Sequence, residues 1–329
     1  MCERRYNWQG RILNKALVYR MEITNLIPHI SILKDYLIFN DGNSVDDSMT
    51  AEKSMKTLDT MRSRAMLLEQ LPYFLNSSYF FILQIFKFQL TLIETKLNNI
   101  SDSSLHNLTS SERDPIAFMT DSFFNSARRA QDAIIPYISR SFSLSLPNSM
   151  NELMKKLHKG EISLPTVIKE LLKIYWDSHG KKIKAYRDLG QHHALISSEG
   201  WVAKPIDGSP LIHLSLPNNP EEKNTSRLRY DDPVILALPY LTIEFQYLLQ
   251  FIFKVTDLLL PSEINRDRTS HLVIFRNPKI GKHTDMHQIQ DEKPFVDEVK
   301  QYLQQLSIWS EKHRLVERPP LDPKFKINQ

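Results

Sequence analysis

The amino-acid sequence predicts an all-α protein, mainly a helical bundle, with a small β or extended insert near residues 200–230. Glycine is scarce, at 8 of 329 residues, and few glycines mean few tight turns, which favours long helices over a sheet-rich fold. Apolar residues recur at three- and four-residue spacing from Ala51 to about Leu97, as in a helix with one buried face. The short run Leu211–Leu216 alternates in hydrophobicity and has Gly, Pro and Asn residues around it, which predicts a small hairpin or an extended insert.

Prolines and glycines mark where the predicted helices begin and end. Pro72 divides the first helical region into two helices, because proline in a helix interior removes a hydrogen bond and clashes with the preceding turn. Asp114 as N-cap and Pro115 in the first helical position begin the next helix. That helix is predicted to bend or stop at Pro136, and a short helix spans Met150–His158 and ends at Gly160. A further helix opens at Pro165 and is interrupted at Gly180. The last two helices run from Asp231–Pro233 to Leu260 and from Pro294 to about His313.

Four regions follow from this pattern. Residues 1–98 form an N-terminal helical region, and the polar Ser/Asn/Asp-rich stretch 99–114 is a linker. Residues 115–260 form a central helical bundle, and residues 261–329 form an extension with one amphipathic helix.

Composition and charge predict a soluble, cytoplasmic protein without a membrane span. The chain is 41% hydrophobic and 24% charged, with a net charge of +4, a mild bias compared with a dedicated nucleic-acid binder. A single cysteine, Cys2, excludes an intramolecular disulfide framework and suits a reducing compartment. The apolar stretches Tyr73–Leu97 and Val234–Leu260 are interrupted by charged side chains that are costly in lipid.

The run Tyr186–Leu195 (YRDLGQHHAL) contains the main candidate chemistry. The guanidinium of Arg187 can bind phosphate oxygens through two hydrogen bonds, and His192 can exchange protons near neutral pH. Asp188 lies one helical turn before His192, where it could orient the ring. These residue types can cleave RNA without a metal, if His192 acts on the 2′-hydroxyl and Arg187 stabilises charge on the phosphate.

The spacing of the pair limits what one chain can do. Arg187 and His192 are five positions apart, so an ideal helix directs them about 140° from each other. One helix cannot easily focus both on one phosphate, whereas two copies facing each other in a symmetric dimer could. The preceding lysines, Lys181, Lys182 and Lys184, would add positive potential for RNA.

The motif resembles a known family signature. Arg187 through His192, with a polar residue directly after the arginine, resembles the R-x4-6-H signature of the HEPN superfamily, helical-bundle proteins of which many are metal-independent ribonucleases. The segment Asp121–Ile134 (DSFFNSARRAQDAI) is similar to the early helix of that superfamily. The resemblance covers about residues 115–260, and the insert Trp201–Tyr230 departs from a minimal bundle.

The resemblance implies a function as well as a fold. It implies a metal-independent endoribonuclease with a toxin-like, stress or defence role, a composite site at a homodimer interface, RNA as substrate and no cofactor. An antitoxin or another regulatory protein would be a further partner. Arg187 and His192 would be the catalytic residues, supported by Asp188, and His193 also satisfies the signature at a spacing of five.

Other interpretations remain open at this point. The protein is alternatively a non-catalytic HEPN-type module for dimerisation or interaction, or a plain helical adaptor in which the motif is incidental. Arg187 and Asp188 could then be a surface ion pair, and the lysines a solvated face. A further histidine pair, His283 and His287, has the spacing of one helical turn, but no third ligand accompanies it, so no metal site is predicted.

Overall fold

Helices account for most of the structure. The computed structural model describes residues 23, 26–27, 29–38, 50–93, 105–192, 196, 200–203, 211–231 and 235–261, and 76% of this part of the chain is helical. The remaining regular structure is a small antiparallel sheet. The prediction of a mainly α-helical fold with a small β insert is confirmed.

The elements follow one another in a simple order. The helices are α1 (Ala51–Leu68), α2 (Gln70–Leu92), α3 (Ser110–Ala133), α4 (Ile135–Ser141), α5 (Met150–Lys159), α6 (Thr166–Tyr175), α7 (Lys181–His192) and α8 (Ala237–Leu259). A π-helical segment, Trp176–Gly180, joins α6 to α7 without a break. The strands are β1 (Leu105–Asn107), β2 (Gly200–Ala203), β3 (Leu211–Leu216) and β4 (Ile235–Leu236). Residues 29–38 are also helical.

The helix α3 forms the centre of the bundle, because α2, α7 and α8 all pack against it. Its aromatic pair, Phe123 and Phe124, is fully buried. The Phe124 ring stacks on Tyr186 of α7 at 4.7 Å, and Phe123 meets Phe245 of α8 edge-on at 6.3 Å. Each such ring contributes about 1.5–3 kcal/mol by burial. The pair therefore packs in the core and ties three helices together.

The start of α3 differs from the prediction. Thr109 is the N-cap, and its backbone N–H donates to the Glu112 side chain at 3.0 Å, which is half of the reciprocal capping box. Pro115 lies inside the helix, and Asp114 pairs with Arg113 at 2.8 Å. The prediction that Asp114 and Pro115 begin this helix is wrong, because the Thr109–Glu112 cap satisfies the helix N-terminus more than a turn earlier.

The prediction that α8 starts at Asp231–Pro233 is also wrong, because Ile235 and Leu236 pair with β3 as a strand and the helix begins at Ala237. The helix ends near Pro72, Pro136 and Gly160 agree with the local signals. The break predicted at Pro72 occurs at Glu69, and Pro72 occupies the first turn of α2, where proline is tolerated. Pro136 likewise lies in the first turn of α4. Gly160 ends α5 with φ at 74°, a left-handed conformation that favours glycine.

The sheet lies beside the bundle and has the order β1-β2-β3-β4, with each neighbouring pair antiparallel. The predicted hairpin corresponds to β2 and β3, which pair Trp201 with His213. The strand β1 lies within residues 99–114, for which the sequence predicts a linker, and pairs Leu105 with Ala203. The hydroxyl of Tyr186 donates to the carbonyl of Pro217 at 2.7 Å, so the end of β3 is fastened to α7.

Within the described ranges, no helix combines the length and apolarity that crossing a lipid bilayer requires. Several predicted features lie outside those ranges: His193, the residues 232–234 before α8, and everything after residue 261, including the helix Pro294–His313 and the pair His283–His287.

Candidate functional site

The candidate residues lie on α7, which continues α6 through the π-helical segment. At the junction the N–H of Lys181 donates to the carbonyl of Trp176, an i→i−5 bond in place of the i→i−4 bond of an α-helix. One additional residue in a turn rotates the following helix by about 100° relative to a straight α-helix. The π segment therefore determines which side of α7 faces the bundle.

This rotation changes the packing partner along the helix. In α6 the Tyr175 ring stacks on Phe251 of α8 at 4.0 Å. In α7 the Tyr186 ring stacks on Phe124 of α3. The buried residues of α7 are Ile183, Tyr186 and Leu189, and the residues between them lie towards solvent.

Asp188 is paired with two basic side chains of its own helix. Nη1 of Arg187 donates to Oδ1 of Asp188 at 2.7 Å, and Nζ of Lys184 donates to Oδ2. Burial alone would raise the pKa of Asp188, but the hydrogen bonds and charges of Lys184 and Arg187 outweigh it and lower that pKa. Asp188 is thus ionised at neutral pH, with a cationic partner on each carboxylate oxygen.

Arg187 and His192 lie on the same surface helix and point in different directions. The side chain of Arg187 is 34% exposed, and His192, the last residue of α7, is exposed. Because the helix is α-helical from Lys181 to His192, the two side chains project about 140° apart. One chain therefore presents the two candidate catalytic groups without focusing them on one point.

The three candidate lysines differ in their surroundings. Lys181 pairs with Asp177 at 2.5 Å, Lys184 pairs with Asp188, and Lys182 is exposed. Residues 150–192 contain nine Lys and Arg against five Asp and Glu, which equals the net charge of +4 of the whole chain. The positive excess is therefore concentrated in α5, α6 and α7, and the rest of the chain is balanced.

A polar cluster that the sequence analysis missed joins α3 to α7. The Nδ2 of Asn125 donates to Oδ2 of Asp121 at 3.2 Å, and Gln191 donates to Asn125. The other oxygen of Asp121 is buried without a hydrogen bond in the described part of the chain. It lies against Gly190, where a Cβ would come within 2.2 Å of it. Burial raises the pKa of Asp121, and the bond from Asn125 opposes this. The local signal for this cluster in the sequence was Gly190, a glycine inside a predicted helix.

A second unpredicted pair lies at the π segment. Nδ1 of His179 donates to Oε2 of Glu244 at 3.0 Å. The His179 side chain is 19% exposed and that of Glu244 is 4% exposed, and the imidazole stacks on Tyr247 at 3.8 Å. The partners are far apart in sequence, so no local pattern joins them. The available signal was Glu244 itself, an acid in the mainly apolar first half of α8.

The described residues contain no group of three or more His, Cys, Asp or Glu side chains arranged to hold a metal ion. A pocket of about 400 Å³ lies at α4 and the turn that follows it, and its lining includes Leu67, Ser139, Arg140 and Asn148. None of its lining residues belongs to α7.

Comparisons with known protein families, with curated proteins and with solved structures found no match to this chain.

Proposed function

We propose that this protein is a cytoplasmic, metal-independent endoribonuclease of the HEPN type, with a toxin-like or defence-related role and a site shared between two copies of the chain. One observation carries the proposal. Arg187 and His192 lie on a solvent-facing helix of a helical bundle, within the stretch that holds the positive excess of the chain. In such a pair the arginine can bind a phosphate and the histidine can act as a general base.

The proposed reaction is cleavage of RNA by its own 2′-hydroxyl. His192 takes the proton from that hydroxyl, whose oxygen forms a bond to phosphorus while the bond from phosphorus to the 5′-oxygen breaks. The leaving oxygen takes a proton from water, and His192 then returns its proton to the solvent. Arg187 binds the non-bridging phosphate oxygens, on which negative charge develops. The products are a 2′,3′-cyclic phosphate and a 5′-hydroxyl.

A shared site is proposed because of the angle between the two side chains. On one α7 helix they diverge by about 140°, and a two-fold axis would place Arg187 of one chain opposite His192 of the other. In the isolated chain Arg187 binds Asp188 at 2.7 Å. An RNA phosphate would compete for the guanidinium, which has several N–H donors.

The test is cleavage of total RNA by the purified full chain, with and without a chelator. We expect cleavage that the chelator does not reduce. Arg187→Ala and His192→Ala should each lower the rate by about 10²–10⁴-fold, the usual contribution of a positioned acid–base group, without changing the helical circular dichroism. His158→Ala, on the exposed face of α5, is the matched control and should cleave normally.

A second candidate function is a non-catalytic HEPN-type module that mediates dimerisation or interaction. The ion pairs that Asp188 makes with Arg187 and Lys184 favour it, because they give the arginine a structural role within its own helix. A wild-type chain that forms dimers and cleaves neither single-stranded nor structured RNA would establish this alternative over the ribonuclease.

A further inference from the structure

We propose that Glu244 and His179 form a positioning pair whose hydrogen bond fixes the π segment, and with it the rotation of α7. Arg187 and His192 both follow on that helix, so the pair determines where they face. The catalytic consequence rests on the proposed ribonuclease function. The structural consequence, an ordered and correctly rotated α7, does not.

The π segment needs support from side chains. The i→i−5 hydrogen-bonding pattern is rare in proteins and occurs mostly as single turns, so backbone preference does not select it. Trp176 packs against the backbone of Gly180, where a Cβ would lie 2.6 Å from the ring, and the Arg128 guanidinium lies 5.8 Å from the ring centroid. The bond from His179 to Glu244 connects the same segment to α8.

Glu244 requires that bond because of its surroundings. Its side chain is 4% exposed, and a buried carboxylate without a hydrogen-bonded partner is costly. The nearby hydroxyls of Tyr175, Tyr186 and Tyr240 stay protonated, since burial raises each pKa and the charge of Glu244 raises it further. The Nδ1–H of His179 supplies the carboxylate of Glu244 with a hydrogen-bond donor from the π segment.

The loss of the His179 donor would act on α7 directly. Without the His179 donor, Glu244 would be left with the neutral hydroxyl of Tyr240, and it would regain solvation if the π segment moved away from α8 and admitted water. Because α7 begins at the next residue after the segment, any change in the π turn rotates Arg187 and His192. Misplacement of reacting groups by about 1 Å is sufficient to lower a rate by about 100-fold.

The geometry points to positioning rather than to proton transfer by His179. Its ring is largely buried and stacked on Tyr247, and Tyr175 lies near the ring at 6.3 Å between centroids. The ring is thus enclosed by aromatic neighbours. An acid–base group for RNA would have to reach the 2′-hydroxyl of a bulky substrate.

The experiment compares variants of the full chain that separate the two roles. In His179→Asn the side-chain amide can donate to Glu244 in place of Nδ1 but cannot exchange protons. In His179→Phe the stacked ring remains and the donor is lost. Glu244→Gln keeps an acceptor for Nδ1. The matched control is His158→Phe in α5, where Nδ1 donates to the Met154 carbonyl at 2.6 Å, away from α7.

Two measurements are made on each variant: hydrogen–deuterium exchange of the amides 181–192, and kcat and KM for RNA cleavage. We expect His179→Phe to exchange faster along α7 and to lose about 10- to 100-fold in kcat, with KM nearly unchanged. His179→Asn, Glu244→Gln and His158→Phe should resemble the wild type in both measurements.

Two results would overturn the proposal. Inactive His179→Asn with normal exchange would make His179 an acid–base group, and wild-type exchange in His179→Phe would remove the positioning role. If the wild type cleaves no RNA, the proposed function fails and exchange alone decides the inference. If His179→Phe does not fold, Tyr247→Ala takes its place, because it removes the stacked ring and keeps both His179 and Glu244. This variant should raise hydrogen exchange along α7, although less strongly. Unchanged exchange in Tyr247→Ala would contradict the proposal.

Discussion

Gly180 lies directly against the indole of Trp176, so closely that a Cβ on the glycine would be 2.6 Å from Cε3 of the ring. Both residues belong to the π segment, and both are buried. The ring has little room to move, because the Arg128 guanidinium lies over it. This contact, together with the bond from His179 to Glu244, holds the segment that orients α7.

The contact between Gly180 and Trp176 predicts that even a methyl group at position 180 destabilises the protein. Gly180→Ala should lower the free energy of unfolding by about 1–2 kcal/mol, since overpacking a buried site usually costs more than the helix propensity of alanine returns. Urea denaturation measures it. Gly190→Ala is the comparison, because its new Cβ would meet the carboxylate of Asp121, which can rotate away, and it should cost less. Equal stability of Gly180→Ala and wild type would mean that the ring moves freely.

The pair Arg128–Asp132 predicts an asymmetry between two variants. The ion pair measures 2.5 Å, with the arginine side chain 6% and the aspartate side chain 31% exposed. Asp132 also accepts from the Met150 N–H at 2.6 Å, at the start of α5. Asp132→Ala should cost about 3–5 kcal/mol, because it leaves a buried guanidinium without its counter-ion. Arg128→Met should cost less, since the remaining carboxylate reaches solvent.

The control for this pair is the neighbouring arginine. Arg129 is exposed and lies 5.1 Å from the Phe74 ring centroid, so Arg129→Met should change stability by no more than about 0.5–1 kcal/mol. Thermal unfolding of the three variants checks the order. A larger loss for Arg128→Met than for Asp132→Ala would contradict the burial argument.

The parts of the fold that were predictable from sequence are those set by neighbouring residues. Scarce glycine and helical spacing predicted the fold class, and Gly160 marked the end of α5. The start of α3 was misplaced although its signal, Thr109 followed by Glu112, is local. The sequence contained two competing start signals, and the Thr109–Glu112 cap prevailed over Asp114 and Pro115.

The parts that could not be predicted depend on contacts between distant residues. The π segment is stabilised by Glu244 of α8, and no local periodicity reports such a contact. Asp121 meets Gly190 only because α3 packs on α7. By contrast, Arg187 and His192 lie on a helix as the local pattern predicted, and the pairing of Asp188 with Arg187 was one of the open alternatives. The second partner of Asp188, Lys184, lies one helical turn before it.

The half-buried Asp121 predicts a pH dependence with a definite sign. Burial raises its pKa in the folded protein above the ordinary value of 3.8, so the folded state binds its proton more tightly than the unfolded state. Between those two pKa values the free energy of unfolding falls as pH rises. Above the folded pKa the full penalty of a buried charge remains.

Asp121→Asn removes this titration. The difference in unfolding free energy between Asp121→Asn and the wild type should shift in favour of the variant as pH rises from about 4 to 7. Urea denaturation at several pH values measures the difference. Because both proteins are compared at the same pH, the contributions of the other titrating groups cancel. Asp188→Asn is the control: despite its burial, the hydrogen bonds of Lys184 and Arg187 lower the pKa of Asp188, so this variant should become relatively less stable as pH rises. A pH-independent difference for Asp121→Asn would show that its burial has no energetic weight.

The shared site predicts that two inactive variants restore each other. Arg187→Ala and His192→Ala should each be inactive as a homodimer. When the two variants are mixed in equal amounts and exchange subunits, they should regain roughly a quarter of wild-type RNA cleavage. Half of the dimers would then be mixed, and each mixed dimer would contain one intact site of two. The double variant Arg187→Ala/His192→Ala mixed with either single variant is the control and should restore nothing, since no mixed dimer then holds both an intact arginine and an intact histidine facing each other. A site contained in one chain would give no recovery in the first mixture, although both variants remain folded. The recovered activity should rise with protein concentration, and light scattering should show dimers. Both results together would establish that a second copy of α7 completes the site, since the two side chains on one helix project about 140° apart.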